Sequence, residues 1–382
     1  MTELVRYALN SLRRRPLTAA LLAVSLGIAF GLPWSVGTVV ETFESDLSAR
    51  AEAAPLVLGA PGSSSDLVLH ALYFQTAPPG EIQVADKNAF DALGLAETVP
   101  LCVKATVRGV PVVGTNGDYF KLRRSTLSAG QPIARLGDCV LGASAADQLG
   151  LSAGEKVATD PRNLFGPTGG APVRLRITGI LTASGTADDD AAFVSLETAW
   201  LIAGLGHSHG KATSNHEHAD GDATTSGFVE VTDENVDGFH FHGRPSRFPL
   251  TAVIAVPHSQ KDRLLLVARN ARRQSGPALV ESDRVLNDLL TIAVRVRRLF
   301  DANAALTSIA TALLCATVIA LSVRLRGSEV RTMNRLGLSR LRIATLFAIE
   351  LLIVACIAFA IALVIVMMVN AAAPTLFQWF VG

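Results

Sequence analysis

The sequence predicts a membrane protein with three transmembrane α-helices and a large mixed α/β extracytoplasmic domain inserted after the first helix. Three apolar stretches carry this prediction, at residues 17–40, 302–323 and 343–370, and the first two contain no charged residue. A helix of about 22 residues extends ~33 Å, enough to cross a hydrocarbon core of about 30 Å. The composition agrees, because 49% of the 382 residues are hydrophobic and only 18% are charged.

The overall charge argues against a nucleic-acid-binding protein. There are 34 basic and 33 acidic residues, which gives a formal net charge of +1 and no broad positive field. The mean hydropathy of +0.37 excludes a disordered chain, since the supply of apolar residues is ample.

The orientation in the membrane follows from the arginines that flank the apolar stretches, because short cytoplasmic segments are enriched in basic residues. Arginines precede the first stretch and lie between the second and third: Arg6, Arg13, Arg14, Arg15, Arg324, Arg326, Arg331, Arg335, Arg340 and Arg342. Segments 1–16 and 324–342 are therefore predicted to be cytoplasmic. The domain at 41–301 and the tail at 371–382 are predicted to lie outside.

The outer segment has the local pattern of a folded α/β domain. Residues 103–113 are typical of two strands joined at Gly109, and residues 173–181 and 250–256 of further strands. Residues 145–151 and 260–273 have helical spacing. A helix predicted at 286–300 runs directly into the second membrane stretch.

Known catalytic and nucleotide-binding patterns are missing from the sequence. The nearest approach to a phosphate-binding loop, residues 204–211, lacks the required glycine spacing, and Lys211 is followed by Ala212 rather than Ser or Thr. There is also no G-x-S-x-G or H-E-x-x-H sequence. We therefore expect a protein that is not an enzyme and that binds no cofactor by itself.

Six of the eight histidines fall close together, in or after a polar loop predicted at 204–226. They form three H-x-H pairs: His207 and His209, His216 and His218, His240 and His242. Imidazole nitrogens are ligands for Zn²⁺, and in an extended chain both rings of an H-x-H pair lie on one face. The sequence leaves two interpretations open, a zinc-binding segment and a solvated loop.

Two further features concern single polar side chains. Cys102 and Cys139 both lie in the outer domain, where they either form a disulfide bridge or remain buried thiols. Glu350 lies about two turns inside the third membrane helix, where it is either a helix–helix contact or a carboxylate that reaches back to water.

The segment 324–342 is the most informative part of the sequence. It contains Val330 and Met333 at helical spacing, Gly337 where a helix would end, and Ser339 where the next would begin. A short amphipathic helix of this kind can dock into a groove of a soluble partner. The alternative is a basic connector that is attracted to anionic lipid.

In this segment the sequence resembles the FtsX/MacB-type permeases of ABC transporters, which include the lipoprotein-releasing permeases. That family has a Glu followed by an apolar residue, then a run such as R-A-L-G-A-S-R-R-Q-I that leads into a membrane helix with an early Glu. Here Glu329 precedes Val330, residues 335–343 read R-L-G-L-S-R-L-R-I, and Glu350 follows. Weaker similarities occur at 12–17, 139–157 and 173–194.

The resemblance implies a MacB-like periplasmic core domain on a permease subunit of the bacterial inner membrane. It further implies a separate cytoplasmic ATPase that binds the ATP, a second permease copy or homologue, and contact with membrane lipid. The residues that would contact the ATPase are Glu329, Val330, Met333, Arg335, Leu336, Gly337, Ser339 and Arg340. The family has four membrane helices, whereas only about a dozen residues follow the third stretch here.

A different functional class is compatible with the same sequence. The chain would then be a membrane-anchored receptor or scaffold whose His-rich outer domain senses or handles a divalent metal such as zinc. This alternative needs a signalling output, and the sequence shows no cytoplasmic domain to supply one.

Overall fold

The computed structural model describes residues 6, 10, 12–14, 16–74, 77–161, 172–208, 229–232, 235–272, 275–325 and 340–381. The chain divides into two compact units, one made of residues 1–45 and 288–382 and the other of residues 46–287. Each unit is described by itself.

The described residues form nine α-helices with assigned bounds, of which three are long. Their bounds are α1 Pro16–Ala53, α2 Ser64–Tyr73, α3 Val84–Asp91, α4 Gly117–Arg123, α5 Ala143–Leu149, α6 Leu196–Ile202, α7 Gln260–Ala271, α8 Ser282–Leu325 and α9 Arg340–Val381. Two helical segments are long and apolar enough to cross a membrane, Ala19–Val39 in α1 and Ala348–Ala372 in α9. The second predicted stretch, 302–323, is helical within α8.

The strands belong to the unit at 46–287. Their bounds are β1 Leu56–Gly59, β2 Ile82–Gln83, β3 Ala96–Val107, β4 Val110–Thr115, β5 Leu127–Gly130, β6 Asp138–Leu141, β7 Lys156–Ala158, β8 Val173–Leu181, β9 Ala192–Ser195, β10 Gly206–Ser208, β11 Val229–Glu230, β12 Phe239–Phe241, β13 Pro249–Leu250, β14 Ala252–Pro257 and β15 Ala278–Glu281. The main mixed sheet has the order β11-β8-β6-β9-β4-β3-β14-β1-β15, and β5 and β7 both pair with β8.

The hairpin of β3 and β4 shows how the sequence sets the local structure. Arg108 and Gly109 both have positive φ, at 48° and 85°, which is the requirement of a two-residue type I′ turn. Asp160 holds this turn, because its carboxylate accepts bonds from the N–H groups of Arg108 (2.8 Å) and Gly109 (2.9 Å) and from the Thr106 hydroxyl (2.6 Å). Burial raises the pKa of Asp160, but these donors outweigh burial and the pKa is lowered.

The central strands β1, β4 and β6 are buried at every residue, and the outer unit also contains a buried polar cluster around Tyr119. Tyr119, which is fully buried, packs against Phe193 with ring centroids 5.4 Å apart. Its hydroxyl donates to Asp188 Oδ1 at 2.8 Å, and Arg123 Nε lies 3.8 Å from Asp188 Oδ2. Burial raises the pKa of Tyr119, so the phenol stays protonated and acts as the donor.

Of the two alternatives left open for Cys102 and Cys139, the structure agrees with buried thiols and not with a disulfide bridge. Cys102 pairs with Gly114, Gly114 with Val194, and Val194 with Cys139, so two strands separate the cysteines. Three inter-strand spacings amount to roughly 14 Å, whereas a disulfide needs Cα atoms within about 7 Å. Burial raises the pKa of the Cys139 thiol to about 12, which keeps it protonated at neutral pH.

Other local predictions are confirmed with shifted boundaries. The strand at 173–181 and the helix that ends before Gly150 are present. The predicted strand at 250–256 is instead split at Thr251 into β13 and β14. The helix predicted from 286 begins at Ser282, and α9 remains helical to Val381, through most of the predicted tail at 371–382.

Candidate functional site

Most of the predicted coupling segment lies outside the described residues. This applies to Glu329, Val330, Met333, Arg335, Leu336, Gly337 and Ser339. Arg340 is described, and it is the first residue of α9. The roles predicted for these residues therefore stay predictions.

Among the described residues, helices α1 and α9 pack closely against each other within one unit. The buried face of α1 is a row of small residues at every fourth position: Ala23, Gly27, Gly31 and Ser35. The facing row of α9 has the same spacing, with Val354, Ala358, Ala362 and Val366 buried. Small residues at this spacing let two helix backbones approach closely, as in membrane helix pairs.

The glycines of this row are required by space. A Cβ at Gly27 would lie 2.7 Å from Ile361 Cγ2, and a Cβ at Gly31 would lie 3.0 Å from Ala362 Cα. Further along, Thr38 Oγ1 donates to Asn370 Oδ1 at 3.1 Å. The partner number on α9 rises as the number on α1 rises, so the two helices run parallel.

Glu350 belongs to the same face of α9. It follows Leu346 by four residues and precedes Val354 by four, and it is half-buried, whereas Leu351 and Leu352 are exposed. The helix–helix alternative for Glu350 is compatible with this position.

Sequence reasoning missed the small-residue row, although its signal was available. Gly27-x-x-x-Gly31 is the spacing known for close packing of membrane helices. A hydropathy profile does not reveal such a row, because Ala and Gly residues within an apolar stretch do not stand out from the other apolar residues around them.

The predicted histidine cluster is described in part. His207 lies in β10, directly opposite His240 of β12 in an antiparallel ribbon, so residues 206–208 are strand and not loop. The rings of His240 and His242 are 5.0 Å apart between centroids, and both residues are exposed. The prediction that the two rings of an H-x-H pair share a face is confirmed for this pair.

The ribbon is anchored by aromatic packing on its other face. Phe241 lies between the two histidines in sequence, and its ring packs 5.9 Å from that of Phe248, which in turn lies 4.9 Å from Trp200. A Cβ at Gly206 would meet the Phe241 ring at 2.9 Å, so glycine is needed opposite this ring. Strand alternation thus directs Phe241 inward and the histidines outward.

A complete metal site is not formed by the described side chains. No group of three or more His, Cys, Asp or Glu that could hold a metal occurs among them. His209, His216 and His218 lie outside the described residues. Whether the histidines bind zinc stays a prediction.

Comparison with known proteins identifies the outer unit. The family model of the MacB-like periplasmic core domain matches residues 18–237, more than half of the chain. No curated protein matches the sequence.

Two solved structures are similar to the chain. One is the periplasmic region of MacB from Actinobacillus actinomycetemcomitans, with 10% identity and a TM-score of 0.35 over 63% of this chain and 94% of that one. The other is the extracellular domain of the noncanonic ABC-type transporter YknZ from Gram-positive bacteria, with 14% identity and a TM-score of 0.32 over 59% of this chain and 97% of that one.

The family match covers nearly all of the first apolar stretch and strands β1 to β11 of the outer unit. It also supports a membrane protein with an extracytoplasmic mixed α/β domain. The chain belongs to the FtsX/MacB-type family of ABC transporter permeases.

Proposed function

We propose that this protein is the transmembrane subunit of an ABC transporter and couples a separate cytoplasmic ATPase to work on the outer side of the bacterial inner membrane. That work is export, extraction or another process on the outer side of the membrane. The ATPase binds the ATP, and this chain transmits the resulting motion to its outer domain.

The parallel packing of α1 and α9 carries the topological part of the proposal. Two parallel membrane helices have their N-termini on the same side of the bilayer, so the chain between them must cross once more in the opposite direction. The run at 302–323 in α8 fits this return crossing. It exposes large apolar side chains that suit lipid, namely Leu306, Ile309, Leu313 and Leu314.

The domain layout then follows from the arginines. Segment 1–16 is cytoplasmic, 17–40 crosses outward, 41–301 lies outside, 302–323 returns, 324–342 faces the cytoplasm, and 343–370 crosses outward again. The segment 324–342 is the coupling element, and the apolar face of Val330, Met333 and Leu336 docks into the ATPase.

We expect this chain to assemble with a second permease subunit, because two ATPase subunits have to act together. A second permease copy or a homologue completes the membrane part. The apolar residues that α1 exposes, such as Leu17, Leu21 and Phe30, contact this second subunit or lipid.

Thiol labelling in intact cells tests the topology. With the native cysteines replaced, Ser214→Cys should react with a membrane-impermeant maleimide, whereas Ser339→Cys should react only after the membrane is permeabilised. Labelling of Ser339→Cys in intact cells would contradict the proposed crossings.

A second candidate function is metal handling by the outer domain, and the ribbon of β10 and β12 is the observation that favours it. The backbone register brings His207 opposite His240, and the His242 ring lies beside that of His240. Arg244 and Arg247 line the same cavity as His242, and their positive charge disfavours a cation there. For this reason metal handling is the second candidate.

A further inference from the structure

The outer unit contains a cavity of about 520 Å³ that the proposed coupling does not use. It opens at the carboxyl ends of the parallel strands β4 and β9, where Thr115 and Ser195 are paired. Ligands of open α/β sheets bind outside the carboxyl ends of strands, and small-molecule sites have volumes of about 300–1,000 Å³. Both the position and the size of this cavity therefore suit a small molecule.

The wall of the cavity is mainly apolar. Val140 and Leu181 are lining residues with exposed fractions of only 1% and 4%. Phe120, Leu127 and Ile133 are half-buried and come from α4, β5 and the segment that follows β5. An apolar body placed among these side chains would remove their surface from water, which is favourable.

The charge of the lining selects the head group of a ligand. Glu197 is the single charged side chain among the described residues that line the cavity, and it makes no ion pair within the described part of the chain. Two lining hydroxyls are already hydrogen-bonded within the protein, since Thr115 Oγ1 donates to the Pro100 carbonyl (2.9 Å) and Ser195 Oγ accepts from the Thr198 N–H (3.2 Å). The cavity thus offers an exposed carboxylate beside an apolar wall.

We propose that this cavity binds a small amphiphilic amine, with an aromatic or aliphatic body against Val140, Leu181 and Phe120 and a protonated amino group at Glu197. A charge-assisted hydrogen bond to the carboxylate favours an amine over an acid of the same shape. The inference does not depend on the ATPase, so it can fail or succeed separately from the proposed coupling.

Two indoles of opposite charge test the proposal, tryptamine and indole-3-propionate. Their binding to the full chain in detergent is measured by saturation-transfer difference NMR titration, with empty micelles in parallel. We expect tryptamine to bind at least fivefold more tightly than indole-3-propionate, and above the level of the micelles. Equal affinity for the two indoles, or tryptamine signals equal to those of empty micelles, would overturn the proposal.

Matched variants locate the site. Ile133→Arg places a cation and a longer side chain in the lining and should lower tryptamine affinity at least tenfold, whereas Ala134→Arg adds the same charge at an exposed neighbour outside the lining and should change it less than twofold.

Removal of the carboxylate provides a test that does not disturb the wall. Glu197→Gln should weaken tryptamine at least threefold and leave indole-3-propionate unchanged or tighter, while Asp147→Asn, at an exposed position outside the lining, should have no effect. If Ile133→Arg or Glu197→Gln binds tryptamine as the wild type does, the amine site is not in this cavity.

Discussion

Replacing Gly31 by Leu should separate α1 from α9. At this position even a Cβ would lie 3.0 Å from Ala362 Cα and 3.2 Å from Ile365 Cδ1, and the first of these is a backbone atom that cannot rotate away. The larger side chain therefore forces the helices apart or out of register. Overpacking of this kind costs about 1–3 kcal/mol, which corresponds to about 5- to 150-fold in the equilibrium between packed and separated helices.

Disulfide cross-linking reports this separation. The Thr38 and Asn370 side chains touch at 3.1 Å, so a Thr38→Cys/Asn370→Cys pair in a background without native cysteines should cross-link rapidly on mild oxidation. Adding Gly31→Leu should slow the cross-link at least fivefold. Ala20→Leu is the matched control, because Ala20 is exposed on α1 and the added side chain does not meet α9.

Equal cross-linking rates in the Gly31→Leu and Ala20→Leu chains would refute the close packing of α1 on α9. If the Leu variant does not accumulate, Gly31→Ala should give a smaller slowing in the same direction, since its Cβ meets the same backbone atom. A cross-linking rate that neither Gly31→Ala nor Gly31→Leu changes would likewise refute the close packing of α1 on α9.

Three further predictions concern the outer unit. Asp160→Asn should destabilise it by about 2 kcal/mol in urea unfolding at pH 7, because three donors lose a charged acceptor. Because the folded-state pKa of Asp160 is lowered, its carboxylate stabilises the folded state at pH values above the unfolded-state pKa, and this stabilisation is lost as the pH falls through the folded-state pKa. A destabilisation by Asp160→Asn that persists at pH 2 would contradict this reasoning. Tyr119→Phe should cost about 1–3 kcal/mol, since Asp188 loses a buried donor, and an unchanged denaturation midpoint would argue against the bond. Titration calorimetry of the full chain should show Zn²⁺ binding that weakens below about pH 6, where protons compete for imidazole nitrogens. Replacing both His240 and His242 by Ala should reduce this binding. If zinc gives no heat of binding with the wild type, the histidines belong to a solvated segment that does not bind zinc.

The sequence was sufficient where a local rule determines the structure. Gly109 between two valine-rich runs predicted a hairpin, and the spacing of residues 145–151 predicted a short helix, which is present and ends at Gly150 with a φ of 64°. Long apolar runs likewise predicted α1 and α9, because the bilayer sets a length that a soluble helix rarely needs.

The remaining features depend on contacts between residues far apart in the chain. Strand β14 lies between β1 and β3, and Thr251 breaks its predicted continuation because its hydroxyl donates to the Leu101 carbonyl and accepts from the Val103 N–H. Neither partner is visible from local periodicity.

The candidate sites show the same division between local and distant signals. Adjacent H-x-H residues predicted one shared face for His240 and His242, but nothing local placed His207 opposite His240. The cavity next to Glu197 is assembled from α4, α6 and five strands, so no single motif in the sequence points to it.

The most direct test of ATPase coupling is ATP turnover by the partner. The full chain in lipid nanodiscs is combined with each cytoplasmic ABC ATPase that is found encoded near its gene, and binding and turnover are measured for the wild type, Leu336→Asp and Leu264→Asp. The wild type should bind the ATPase and change its turnover at least threefold, and Leu336→Asp should abolish both effects. Leu264→Asp makes the same change at an exposed leucine of the outer unit and should behave as the wild type. Turnover that does not respond to the wild-type chain, or that responds equally to both variants, would contradict coupling through residues 324–342.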